Sequence, residues 1–137
     1  MAHWLFKTEP SEYSYADLAR DKRAVWEGVS NATALIHLRA VKRRDDVIVY
    51  HTGNEKSVVG LARVTRAAYP DPKLQDPKRV VVDLEPVRAF ETRLPIAAFR
   101  TDRVLRTTEL VRNSRLSVMP LSAAHYARVL EQAGGRS

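Results

Sequence analysis

The chain has 137 residues, 45% hydrophobic and 28% charged, which fits one soluble globular domain over 1–137 and excludes a multidomain machine or a disordered polymer. Its 23 Lys and Arg against 16 Asp and Glu leave a formal charge of +7, which points to a polyanionic partner such as nucleic acid. With no cysteine, disulfides, thiol nucleophiles and cysteine-ligated metals are excluded, and no apolar run approaches the roughly 20 residues of a membrane-spanning helix, so no membrane partner is expected. Lys7 and Glu9 follow Met1–Trp4 at once, which is not a leader pattern and gives a cytoplasmic expectation.

His3 to Lys7 reads as a first strand, with Trp4 and Phe6 on one face and Leu5 and Lys7 on the other. Ser14 and Asp17 have capping-box spacing, which starts a short helix running to the charged Arg20–Arg23 stretch. Arg23 to Glu27 is a brief strand stopped by Gly28, and Asn31 caps a second helix through Lys42. Ala34, Leu35, Leu38 and Val41 form the buried stripe of that helix. Val47–Thr52 is an interior strand paired antiparallel with Val58–Tyr69 through a Gly53–Asn54 turn, and Gly60 marks a bulge or a close backbone approach. Tyr69 to Pro77 is an exposed connection. Val80–Phe90 is a strand interrupted near Pro86, Pro95 opens a short helix through Phe99, and Leu121–Ser122 opens a last helix. In this last helix Tyr126, Val129 and Leu130 face inward, and Gly134 ends it. The order of elements gives an α+β fold, a small, mostly antiparallel sheet or barrel flanked by helices.

No hydrolase elbow, Walker glycines, zinc-protease pair or dinucleotide fingerprint is present, and no cofactor or metal site follows from the spacing of the four histidines. His51 stands out because it follows Tyr50 at a strand end, where polar side chains reach pockets. Glu9, Glu12 and Asp17 read as solvated carboxylates. Arg39, Lys42, Arg43 and Arg44 are the densest basic group, and Arg103, Arg106, Arg112 and Arg115 add a second suited to phosphate. Trp4, Phe6, Trp26 and Tyr50 are candidates to converge on one pocket. Trp26 leads them, because its segment is too short to bury it deeply on both faces.

Read together, Trp4–Pro10, Tyr13–Ser14 with Asp17–Leu18, Trp26–Val29 with Asn31, and Leu38–Arg39 resemble the EVE-domain family of the PUA-like superfamily. The resemblance continues in Tyr50–Gly53, Val59–Ala62, Tyr69–Pro72, Leu110–Arg112 and Arg115–Pro120. It implies a PUA-like barrel that holds a modified base of DNA or RNA in an aromatic pocket without catalysis. By position it implies Trp26 as the stacking wall and Lys7–Thr8 as a source of hydrogen bonds to the base edge. Asn31, Tyr50 and His51 follow as further pocket residues, with Ser114 and Arg115 on the rim beside Arg39 and Lys42. Ser30, Thr33, Leu35 and Ile36 stand where many members carry Arg, Gln, Arg and Asn, and Arg44 stands where glycine is common. Two other readings stay open: an enzyme acting on a nucleotide through His51 and Glu9, and a PUA-like interaction module whose aromatics are all core.

Overall fold

A computed structural model describes residues 1–134, and the last three positions of the expected domain lie outside the described residues. Strand β1 (His3–Thr8) is followed by α1 (Tyr15–Asp21), the short β2 (Ala24–Trp26) and α2 (Ala32–Ala40). Then come β3 (Asp46–His51), β4 (Ser57–Pro70) and β5 (Val80–Pro95). The C-terminal part holds α3 (Ile96–Thr101), a 3-10 turn at Leu105–Thr107, α4 (Glu109–Arg112), β6 (Val118–Leu121) and α5 (Ala123–Ala133). No helix among the described residues is long and apolar enough to cross a membrane.

The six strands lie in the order β2-β5-β4-β3-β1-β6, with β1 and β3 parallel and every other neighbouring pair antiparallel. The sheet is open, with β2 and β6 at its edges, so of the expected sheet or barrel it is the sheet that forms, and the barrel implied by the family resemblance is not closed. β6 was not foreseen. It is four residues long and contains Pro120, a residue that strands tolerate mainly at sheet edges.

Both faces of the sheet are covered, so β3 is buried along its whole length. Trp4, Phe6 and Thr8 point to the side of α1 and α2: Trp4 lies beside His37 of α2, and the backbone N–H of Tyr15 at the start of α1 donates to His51. His3, Leu5 and Lys7 point to the opposite side, where Tyr126 of α5 stacks on His3 at 4.0 Å between ring centroids. The Ser14–Asp17 capping box, the Asn31 cap and the left-handed Gly134 stop all form as their spacing implies. Gly60 is both a register shift and a close approach: a Cβ there would lie 2.5 Å from the Tyr15 ring. β5 runs through Pro86 with a register shift instead of breaking.

Asp45 organises the turn between α2 and β3. Only 3% exposed, it accepts from Trp4 Nε1 at 2.9 Å, from Lys42 N at 2.9 Å and from Ala2 N at 3.1 Å. This turn carries Arg43 and Arg44 onto the surface and ties α2 to the start of β1.

Candidate nucleic-acid interface

A cleft of about 660 Å³ opens where β1 ends and β2 passes the end of α1. Lys7 and Thr8 reach it from β1, Trp26 from β2, and Gly28 and Val29 from the segment that follows. Its volume lies within the range of small-molecule sites. Trp26 is 7% exposed, more buried than its short segment implied, because Phe6 packs at 5.8 Å and the Tyr13 ring meets it edge-on at 6.3 Å. It still lines the cleft, so its ring is braced from within.

The cleft walls carry charges that sequence reasoning did not assign to a pocket. Glu9, Glu12, Asp21 and Glu27 bring carboxylates, while Arg23 and Lys73 bring cations. Lys73 reaches across to Glu27 at 3.3 Å. The Tyr13 hydroxyl donates to Asp21 at 2.9 Å, and burial together with that carboxylate pushes the phenol up to about 12, so it remains a neutral donor. Arg20, and then the Tyr13 hydroxyl, hold the Asp21 carboxyl below its usual value. Such carboxylates accept from N–H groups and repel phosphate.

The other expected site residues are distributed differently. The Thr8 hydroxyl donates to Tyr13 O at 2.6 Å. The Lys7 ammonium donates to Ser114 O at 2.8 Å and sits 5.8 Å from the centre of the Tyr50 ring, on the sheet face away from Trp26; burial lowers its pKa. Tyr50 and His51 are successive residues of β3 and so point to opposite faces, and neither lines the cleft. His51 has both ring nitrogens engaged. Tyr15 N–H donates to Nε2 at 2.9 Å, which leaves the proton on Nδ1, facing Glu55 at 2.9 Å. The carboxylate of Glu9 instead accepts from Ser11 and Thr52, so His51 and Glu9 are not paired. Asn31 serves as the cap of α2, accepting from Ala34 N at 3.0 Å. Arg39 donates to Lys78 O at 3.0 Å, Lys42 and Arg115 are exposed, and Ser117, not foreseen, lines the cleft beside the Ser114–Arg115 segment. Trp4 turns its indole N–H to Asp45, so the four aromatics do not form one cage; Phe6 and Trp26 are the pair that meet.

The EVE domain model matches residues 2–132. The chain belongs to the EVE-domain family. It is 30% identical to thymocyte nuclear protein 1 of Mus musculus, over 93% of this chain and 72% of that protein. Among solved structures, a protein of Rhodopseudomonas palustris superposes with a TM-score of 0.92 at 34% identity, over 98% of this chain and 94% of the other. Human thymocyte nuclear protein 1, solved in complex with DNA containing 5-methylcytosine, superposes with a TM-score of 0.88 at 28% identity over 100% of both chains. As a PUA-like EVE fold, this chain thus shares its open, helix-flanked sheet with proteins of bacteria and animals.

Proposed function

We propose that this chain is a non-enzymatic reader of a modified nucleobase in DNA, with 5-methylcytosine the leading candidate, and that the base enters the Trp26 cleft. The observation that carries this reading is the placement of Trp26: an indole braced by Phe6 and Tyr13 at the wall of a cleft large enough for a nucleobase. The complex of the human relative with 5-methylcytosine DNA supports the choice of ligand. The engaged nitrogens of His51 and the occupied carboxylate of Glu9 supply no free acid–base pair, which supports a binding role. The mouse and human relatives are named as nuclear proteins, so they lend no support to the cytoplasmic expectation.

The energetics assign separate tasks to the parts. Extruding a base from a duplex costs a few kcal/mol. Stacking on one aromatic ring returns about 1–3 kcal/mol, and burying the added methyl about 0.8 kcal/mol, close to a fourfold preference. Stacking therefore provides affinity, and the cleft's shape and its carboxylates, which accept from an exocyclic amine, provide selection. The test is a titration of matched duplexes carrying cytosine or 5-methylcytosine. Trp26→Ala should lose about 5- to 150-fold in affinity for the methylated duplex, and Trp26→Phe, which keeps a ring on Phe6, should lose less. Wild-type affinity in both variants refutes the assignment.

A further inference from the structure

A second hollow of about 520 Å³ lies beside the cleft, bounded by Arg23, Arg43, Arg44 and Arg63 with Thr65 and a single carboxylate, Glu85. Arg23 lines both hollows, so the two adjoin at that residue. Arg63 pairs with Asp46 at 3.5 Å, whereas Arg23, Arg43 and Arg44 are exposed and take part in no ion pair among the described residues. The hydroxyl of Thr65 is buried without a hydrogen-bond partner. Arg44 holds a left-handed backbone, φ +78, in a turn closed by Asp45 N–H to Lys42 O at 3.1 Å, and its own N–H ties the turn to β4 at Val64 O, 2.8 Å away. A non-glycine residue is strained there, and strain of this kind collects at binding sites.

We infer that the Arg23–Arg43–Arg44–Arg63 hollow holds the phosphodiester backbone of the strand whose base enters the Trp26 cleft. The inference rests on the base-reading assignment of that cleft. The cleft's carboxylates, Glu9, Glu12, Asp21 and Glu27, offset its cations Lys7, Arg23 and Lys73, so it offers phosphate little net attraction, whereas the neighbouring hollow sets four arginines against one carboxylate. Guanidinium forks match phosphate oxygens in pairs, and Arg23 stands where the strand would pass from one hollow to the other. The sequence reading put Ser114, Arg115, Arg39 and Lys42 on the rim and grouped Arg43 and Arg44 with the last two as the densest basic stretch; in this account Arg43 and Arg44, with Arg23 and Arg63, take the phosphate role.

The experiment compares the full chain with Arg43→Ala/Arg44→Gly, in which glycine relieves the left-handed position and keeps the turn. Binding to a duplex with one 5-methylcytosine is followed by fluorescence anisotropy between about 50 and 200 mM salt, with Trp26→Ala in parallel. Two lost phosphate contacts lower the slope of log K against log salt by about 1.8, so across that range the wild type loses about tenfold more affinity than the double variant. The preference for methylated over unmodified duplex should be unchanged in the double variant. A wild-type slope in the double variant overturns the inference, even where Trp26→Ala abolishes the methyl preference. A reduced slope with a silent Trp26→Ala upholds the phosphate site and refutes the base-reading assignment instead.

Discussion

Replacing Asp45 with alanine removes the acceptor for three N–H groups at once, and their surroundings set the size of the loss. The Trp4 Nε1 bond is buried, so stranding that donor costs about 2 kcal/mol; the Ala2 and Lys42 amides are partly open to water and cost about 0.5–1 kcal/mol each. The sum is about 3–4 kcal/mol, a large share of the roughly 5–15 kcal/mol that holds a domain of this size together. Urea denaturation measures it directly: with an m-value of about 1.5–2 kcal/mol/M the midpoint falls by about 2 M. A double-mutant cycle with Trp4→Phe isolates the indole bond and should return a coupling of about 1–2 kcal/mol. An Asp45→Ala midpoint within about 0.3 M of wild type, or no coupling to Trp4, refutes the view that Asp45 holds α2 and the arginine turn against β1.

At Gly60, alanine would place its Cβ 2.5 Å from Tyr15, whose hydroxyl is itself tied to Leu61 O at 2.7 Å, so the ring has nowhere to yield. Gly60→Ala should cost about 2–3 kcal/mol in urea denaturation, and unchanged stability would contradict the contact. Asp102 accepts from Arg128 at 2.8 Å, from the amides of Val104 and Leu105 and from Gln132, which hold its carboxyl well below the usual carboxylate range. Because the folded pKa is depressed, this stabilisation is complete above about pH 4 and is lost as the pH falls below that. Asp102→Asn should therefore lower the thermal midpoint at pH 7 and flatten its fall between about pH 4 and 2; parallel pH curves for the two proteins would contradict the linkage.

What could be read from the sequence was mostly local. Ser14 with Asp17, Asn31 and Gly134 mark helix ends because a cap needs only a few neighbouring residues, and the α2 stripe is visible because its period is short. Trp26, Lys7 and Thr8 all line one cleft because they stand at or near strand ends, but nothing in the sequence signals that the Lys7 ammonium turns to Ser114 O and the Thr8 hydroxyl to Tyr13 O. The acidic wall was out of reach: Glu12, Asp21 and Glu27 come from a loop, a helix end and a strand end, and only the sheet order brings them together. His51 shows the limit from the other side. Its position at a strand end suggested a pocket, and it does line a hollow with Tyr15, Glu55 and Arg93, but one separate from the Trp26 cleft, where Tyr15 N–H and Glu55 fill its two nitrogens. β6 was missed for a related reason, since it is too short and proline-bearing to read as a strand before it is seen against β1.

The central claim is that a methylated base stacks on Trp26, and the emission of that residue tests it most directly. Trp4→Phe leaves Trp26 as the one tryptophan of the chain. Titrating that variant with a duplex carrying one 5-methylcytosine should give a saturable quench of tryptophan emission, and the cytosine duplex should need several-fold more DNA to reach the same quench. Emission that stays constant while anisotropy shows the methylated duplex bound would contradict the account.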